Sequence, residues 1–136
     1  MATVFEKIIA RELPAEIVYE TGAVIAFLDV SPNNPGHTLV IPKTPCTNLF
    51  DIAPESWAAV SEAVRMLAPI IMRAVNATGM NVMMNNGEAA GQLVPYAHIH
   101  LIPRFPGDGY QHWQGHPYAP NEMARVGAAI RAAFAS

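Results

Sequence analysis

The sequence predicts an α+β domain with a five-stranded, mainly antiparallel sheet, one long helix and short helices towards the two ends. Short runs rich in β-branched and aromatic residues, bounded by turn-forming residues, indicate the strands. One long stretch carries apolar residues at helical spacing. The length of 136 residues fits a single domain, for which we expect a core over 3–109 and a C-terminal extension over 110–136.

The first half of the chain carries a helix and three strands. Apolar residues recur at helical spacing in VFEKIIARELP, and Pro14 ends that pattern. EIVYE and AVIAFLD read as two strands joined by Thr21 and Gly22. The segment SPNNPG is turn chemistry, and HTLVIP after it reads as a third strand that ends at Pro42.

The second half begins with the long helix, which the pattern places from Pro54 to about Thr78. Pro69 predicts a kink or a break in this helix, and Gly79 stands where a stop is expected. A final helix begins after Asn121 as its cap. The remaining segments are the strands MNVMMNN and AHIHLIPR, the loop GEAAGQ between them, the irregular stretch GDGYQHWQGHPYAP and the helical NEMARVGAAIRAAFAS.

Composition excludes several classes of protein. The formal net charge of −3 and the pI near 5.9 disfavour a protein that binds a nucleic-acid backbone. The single cysteine, Cys46, cannot form an intrachain disulfide, which fits a reducing compartment, and no activating base is adjacent to it. No stretch reads as a signal peptide or a membrane span. We therefore predict a cytoplasmic protein with neither nucleic acid nor membrane as a partner.

The segment VPYAHIHLIPRF carries two histidines at alternate positions of an apolar strand. Since residues i and i+2 of a strand share a face, Tyr96, His98 and His100 are expected on one face, with Ile99 and Leu101 towards the core. Two imidazoles in phase favour a site over an incidental histidine. Imidazole serves as a metal ligand, a general acid or base, or a nucleophile.

A metal would need further ligands near this pair. His37, His112 and His116 are candidates, but after His100 no carboxylate appears before Asp108, which lies in a Gly-rich turn. The preceding loop MNNGEAAGQ instead offers amide donors and glycines that let the backbone approach an anion. This combination favours a phosphate site with a histidine nucleophile and no metal or other cofactor.

The same segments resemble a known family. GQLVPYAHIHLIPR resembles the signature of the histidine triad (HIT) family of nucleotide hydrolases and transferases, and PNNPGHTLVIPK resembles the family's other segment. FEKIIARELPAEIVYET and AFLDVSP resemble the family's opening, so the similarity extends to about Gly109. The resemblance implies a HIT-like fold, a homodimer with two sheets side by side, and a small-molecule nucleotide as partner.

The resemblance also implies roles for individual residues. His98 matches the histidine that attacks the α-phosphorus and forms a nucleotidyl-histidine, and His100 matches the one that polarises the phosphate or holds the nucleophile. The other expected site residues are Phe27, Leu28 and Val30 as an apolar wall for the base, Asp29 at the ribose hydroxyls, His37 in the histidine cluster, Asn85 near the phosphate and Gln92 at the scissile bridge.

The sequence departs from the family pattern at several positions. Tyr96 stands where the first triad histidine is expected; we predict that it contacts substrate and that altered support slows turnover or changes its pH dependence. Thr3 and Glu6 replace the Cys-x-x-Cys that holds a structural zinc in some members, so no such zinc is predicted. Leu93 stands where other members often have Ser or Thr.

The leading hypothesis is a hydrolase that cleaves at the α-phosphate of nucleoside phosphoramidates or dinucleoside polyphosphates, and both substrate classes fit the sequence. The alternative is a nucleotide-binding protein with weak or no catalysis, because its first triad position is Tyr96. A third is a metal-dependent protein, whose activity a chelator would abolish. Trp57, Met83 and the C-terminal segment are candidates for a dimer interface or a neighbouring site.

Overall fold

The computed structural model describes residues 2–135, which form one five-stranded antiparallel sheet with helices on both of its faces. The sheet order is β1-β2-β3-β5-β4, so β4 lies at one edge. This confirms the predicted fold class. The elements are α1 (Val4–Ile9), β1 (Ile17–Glu20), β2 (Val24–Leu28), β3 (Thr38–Pro42), α2 (Pro54–Val75), β4 (Gly79–Met83), a 3₁₀ turn (Glu88–Ala90), β5 (Ile99–Arg104) and α3 (Glu122–Ala133).

Helix α1 is short and closed at both ends by local geometry. Thr3 caps it by accepting the backbone N–H of Glu6, whose carboxylate in turn accepts the backbone N–H of Thr3. The helix ends at Ile9, and Arg11 adopts a left-handed φ of 63°. The chain therefore leaves the helix before Pro14, where the apolar pattern placed its end.

Helix α2 runs through Pro69 without a break, so the predicted break is wrong, while the alternative of a kink stays a prediction. The apolar face with Val60, Ala63, Leu67 and Ile71 is buried against the sheet on both sides of the exposed proline. Packing along this face outweighs the single backbone hydrogen bond that proline cannot make. The helix ends at Val75, before the predicted stop, because the next residue adopts a left-handed conformation with φ 58°.

The two faces of the sheet pack against different helices. Val24 and Ala26 of β2 face α2, and the alternating residues Ile25 and Phe27 belong to the cluster that packs on α1 through Phe5. Strands β2 and β3 are therefore buried on both faces, which explains their nearly continuous apolar sequences. The α1 side is the side on which the histidines of β5 lie.

The C-terminal extension contributes little to the core. Asn121 precedes α3 as predicted, although its side chain makes no capping hydrogen bond, and the helix has no buried residue. Met1 and Ser136 lie outside the described residues. Both belong to the predicted domain, and Ser136 also belongs to the predicted last helix. Over residues 2–135, none of the helices combines the length and the apolar character needed to cross a membrane.

Candidate active site

Three histidines from two predicted segments, His37 from one and His98 and His100 from the other, meet on the α1 side of the sheet. His100 on β5 is paired with Leu39 on β3 and with Met83 on β4, and His37 immediately precedes β3. His37 Nε2 lies 3.0 Å from His100 Nδ1, and the rings of His98 and His100 have their centroids 4.9 Å apart. The antiparallel pairing of β3 with β5 is what brings the distant His37 to the other two.

His98 is held by a hydrogen bond at one ring nitrogen, which leaves the other nitrogen unprotonated. Its Nδ1 lies 2.6 Å from the main-chain carbonyl oxygen of Tyr96. Because a carbonyl only accepts, Nδ1 must carry the proton and Nε2 presents its lone pair. The ring is 7% exposed and packs edge-on against Phe5, and this burial lowers the pKa of His98. The imidazole is therefore neutral at neutral pH.

His100 is oriented the opposite way by a chain of hydrogen bonds. The backbone N–H of Asn33 donates to His37 Nδ1 at 3.1 Å, so the proton of neutral His37 sits on Nε2 and is donated to His100 Nδ1. The proton of neutral His100 is then on Nε2, which is buried and has no hydrogen-bond partner among residues 2–135. Burial, followed by the neighbouring imidazoles of His98 and His37, lowers the pKa of His100 to about 4. His100 thus offers an unused donor beside the lone pair of His98.

Asp29 lies at the edge of this cluster and has two different contacts. Its Oδ1 accepts the backbone N–H of Ser31 at 2.8 Å, which is ordinary turn geometry. Its Oδ2 lies 3.7 Å from His37 Nε2. The carboxylate therefore stabilises the turn with one oxygen and faces the histidines with the other.

The residues expected to form the apolar wall differ in exposure. Phe27 is 3% exposed and packs edge-on against Phe5, so its side chain belongs to the core and does not form an open wall. Leu28 is half-buried, and Val30 is 93% exposed. Only Leu28 and Val30, of these three residues, offer accessible apolar surface for the predicted wall.

Gln92 uses its whole side-chain amide to join three loops. Its Oε1 accepts from the Gly87 backbone N–H at 2.8 Å and from Asn48 Nδ2 at 3.2 Å. Its Nε2 donates to the carbonyl oxygens of Thr47 at 2.7 Å and Val94 at 3.0 Å. In this arrangement Gln92 shapes the loop beside the histidines, and the predicted contact with a scissile bridge would require these bonds to break.

Tyr96 does not face the site, contrary to the prediction that it contacts substrate. Its side chain is 1% exposed, its hydroxyl donates to the Pro42 carbonyl oxygen at 2.5 Å, and its ring packs against Phe5. Burial raises the pKa of Tyr96 well above its usual value, so the phenol remains protonated. The residue contributes its main-chain carbonyl to His98 instead. Asn85 is half-buried in the loop after β4, near Gly91.

Ligand atoms of Asp29, His37 and His100 all lie within 4.8 Å of one another, which is close enough for a shared metal ion. The hydrogen bond from Asn33 to His37 Nδ1 leaves the proton on the nitrogen that faces this group. His37 therefore presents a donor where a cation needs a lone pair. This arrangement does not suit a metal ion, and the absence of a metal stays a prediction.

Several contributors were missed by the sequence reasoning. Asn34 Nδ2 donates to the Pro103 carbonyl oxygen and to Asp108 Oδ2, both at 2.8 Å, and so ties the loop before His37 to the end of β5. Asn48, which is buried, holds Gln92. The run of turn-forming residues in SPNNPG is the feature of the sequence that could have indicated the supporting roles of Asn33 and Asn34. Such turn residues satisfy backbone groups and neighbouring side chains.

The remaining predicted positions within residues 2–135 make no side-chain hydrogen bond or ring contact with the three histidines. His112 packs against Tyr110, and His116 is exposed. Trp57 is partly exposed near the start of α2. Burial raises the pKa of the Cys46 thiol, which disfavours the reactive thiolate and agrees with the lack of an activating base next to it in the sequence.

Comparison with known proteins identifies the family of this chain and several similar proteins. Residues 10–107 match the HIT domain. The adenosine 5′-monophosphoramidase of Schizosaccharomyces pombe is 33% identical over 133 residues, which cover 96% of each protein. A protein of Bacillus subtilis named "Protein hit" is 40% identical over 137 residues, covering 98% of this chain and 94% of the relative. The crystal structure of a HIT family member from Bacillus subtilis superposes with a TM-score of 0.88 at 38% identity, over 96% of each chain.

Proposed function

Because this chain belongs to the HIT domain family, we propose that it is a nucleotide hydrolase that cleaves between the α-phosphate of a nucleotide and its leaving group. The observation that carries the proposal is the pair of complementary imidazoles. His98 has a free lone pair on Nε2, and His100 has an unused N–H beside it. Attack on a phosphorus atom that carries negatively charged oxygens requires a nucleophile and, next to it, a hydrogen-bond donor to those oxygens.

The reaction proceeds in two displacements. Nε2 of His98 forms a bond to the α-phosphorus, and the bond from phosphorus to the leaving atom breaks with its electron pair on that atom. The N–H on Nε2 of His100 donates a hydrogen bond to the phosphate oxygens, and the leaving atom takes its proton from solvent water. In the second step water attacks, the P–N bond to His98 breaks, and the proton released by this water passes to solvent. The products are a nucleoside monophosphate, the protonated leaving group and free enzyme.

Other residues bind the nucleotide in this proposal. Asp29 Oδ2 accepts hydrogen bonds from the ribose hydroxyls, and Leu28 with Val30 contacts the base. Asn85 lies near the phosphate, in the loop that Gln92 stabilises. The hydrogen bonds of Gln92 to Gly87 and Val94 support its role in holding this loop in place.

The arrangement of the histidines fits two classes of substrate, phosphoramidates and dinucleoside polyphosphates. The name of the Schizosaccharomyces pombe relative, adenosine 5′-monophosphoramidase, supports the first class. The alternative of nucleotide binding without turnover was based on Tyr96. The buried position of that side chain weakens the alternative, because the support of His98 comes from the main chain.

We also propose a homodimer in which two sheets lie side by side. Strand β4 is at the edge of the sheet, and Val82 on it is 52% exposed. An open strand edge of this kind is suited to pairing with a second chain. The mass of the protein in solution, measured by light scattering over a dilution series, would contradict this proposal if it corresponded to a monomer at micromolar concentration.

The proposal is tested by the release of AMP from an adenosine phosphoramidate and from a diadenosine polyphosphate. His98→Ala is expected to lower kcat/KM by at least about a thousandfold, since the nucleophile is removed. His116→Ala, which changes an exposed histidine, is the matched control. Intact-mass analysis of quenched reactions should detect the nucleotidyl adduct in the wild-type protein and the control only. Equal turnover by His98→Ala and the control would refute the proposed nucleophile.

A further inference from the structure

The loop before His37 is fastened to the end of β5 through the side chain of Asn34. This side chain donates one amide hydrogen to the Pro103 carbonyl oxygen and the other to Asp108 Oδ2, both at 2.8 Å. Because a carbonyl oxygen only accepts, the amide nitrogen of Asn34 must be the atom that faces these two groups. The backbone carbonyl of Asn34 also accepts the N–H of His37 at 3.1 Å. The position of the loop therefore depends on what holds Asn34.

Asp108, which holds Asn34, receives hydrogen bonds from four different residues. Its Oδ1 accepts from Arg104 Nη2 at 2.7 Å and from the Tyr110 backbone N–H at 3.2 Å. Its Oδ2 accepts from the Phe105 backbone N–H at 2.9 Å and from Asn34 Nδ2 at 2.8 Å. The side chain of Asp108 is 11% exposed, so water has little access to these bonds. Each of the two oxygens must therefore accept twice.

Only an ionised carboxylate satisfies this arrangement. The hydrogen bond from Arg104, followed by that from the Phe105 backbone, holds the pKa of Asp108 well below its ordinary value, so the group is ionised at neutral pH. Both of its oxygens then act as acceptors. An asparagine of the same shape would turn its NH₂ group towards two donors, whichever way its amide is oriented. The substitution Asp108→Asn is therefore expected to release at least one pair of these donors.

The loop that Asp108 holds carries the donor on which the histidine tautomers depend. Asn33, next to Asn34, donates its backbone N–H to His37 Nδ1, and the proton on His37 Nε2 is donated to His100 Nδ1. If the Asn33 bond is lost, His37 can carry its proton on Nδ1 instead. His100 then carries its proton on Nδ1, to donate to His37, and its Nε2 becomes a lone pair. The donor beside the nucleophile is lost in that arrangement.

We propose that Asp108 is a positioning residue of the active site: through Asn34 it holds the loop whose backbone N–H keeps the proton of His100 on Nε2. The inference rests on the proposed function, in which this N–H donates to the phosphate oxygens. Asp108 does not touch the substrate and acts only through the tautomer of His100. A donor to the reacting phosphate acts mainly in the transition state, so its loss lowers kcat more than it raises KM.

The direct test reads the tautomers of the histidines from the nitrogen-15 chemical shifts of their ring atoms, at pH 7 and without nucleotide. In the wild type, His37 and His100 should carry their protons on Nε2. Asp108→Asn should give both rings a substantial fraction of the Nδ1 tautomer, while His98, which the Tyr96 carbonyl holds, stays unchanged. Asn34→Ala cuts the same link and leaves the other three bonds of Asp108 in place, so it decides the question if Asp108→Asn does not fold. Wild-type tautomers in the folded variants would overturn the inference.

Hydrolysis of adenosine phosphoramidate gives the second measurement. Asp108→Asn and Asn34→Ala are expected to lower kcat per folded molecule at least about tenfold and to leave KM within about threefold. Glu62→Gln is the matched control, because Glu62 is also a carboxylate paired with an arginine, Arg65, but lies exposed on α2.

The outcomes separate this inference from the proposed function. A loss of kcat with wild-type tautomers, or altered tautomers with wild-type kcat, would overturn the positioning role of Asp108 and leave the proposed function intact. An absence of hydrolysis by the wild-type protein would overturn the proposed function, and with it any role of Asp108 in the reaction. The tautomers would then still show whether Asp108 controls the state of His100.

Discussion

Tyr96→Phe separates a structural role of this tyrosine from a catalytic one. The substitution keeps the buried ring and removes the hydroxyl that donates to the Pro42 carbonyl oxygen. A buried acceptor left without its donor costs about 1–3 kcal/mol of stability. The bond that orients His98 goes to the main-chain carbonyl of Tyr96, which every side chain at this position retains. Stability should therefore change while the chemistry of His98 does not.

The expected result is a free energy of unfolding lower by about 1–3 kcal/mol, with kcat/KM per folded molecule within about threefold of the wild type. Urea unfolding at pH 7 measures the first quantity, and AMP release corrected for the folded fraction measures the second. Tyr118→Phe, which changes a tyrosine that is 55% exposed, is the control and should alter neither. Wild-type stability together with a loss of kcat/KM of tenfold or more would refute the structural role and place the hydroxyl in the reaction.

Three further predictions concern other parts of the chain. Burial lowers the pKa of His37, His98 and His100 in the folded state, that of His100 to about 4. In the unfolded chain the pKa of a histidine is near 6.5, so below this pH the unfolded state binds more protons than the folded state. The free energy of unfolding should therefore fall between about pH 6.5 and 4, by roughly 2 kcal/mol for His100 after allowance for partial exposure; urea titrations that show a rise would contradict this. Pro69→Ala should raise stability by about 1–3 kcal/mol by restoring a helical hydrogen bond, and a lower melting temperature would contradict it. Gln92→Ala should lower both stability, by about 1–3 kcal/mol, and kcat/KM, whereas a loss of kcat/KM at unchanged stability would instead indicate direct contact with substrate.

Local patterns predicted most of the fold. The apolar runs of β2 and β3 were readable because both faces of these strands are buried, and the turn residues of SPNNPG marked the change of direction between them. Pro69 misled the prediction because the rule for proline considers one local hydrogen bond. The packing of Leu67 and Ile71 against strands distant in sequence holds the helix together, and that contact is not visible in the helix's own sequence.

The sequence predicted the parts of the site that depend on strand periodicity, but not the parts that depend on packing between residues far apart in the chain. Alternation placed His98 and His100 together, and the resemblance to a family added His37. The same alternation also placed Tyr96 on their side of the sheet, which is correct. What the pattern did not contain is that Phe5, from the opening helix, covers that part of the face and buries the phenol.

The main chain sets the tautomers of His98 and His100, and this explains how the site accommodates a tyrosine at position 96. The carbonyl of Tyr96 fixes the tautomer of His98, and the backbone N–H of Asn33 fixes that of His37 and, through it, of His100. A side-chain change at position 96 leaves all of these donors and acceptors in place, provided that the replacement fills the space beside Phe5. The side chain at position 96 serves packing, while its main-chain carbonyl orients His98, so a tyrosine at this position is compatible with the proposed nucleophile.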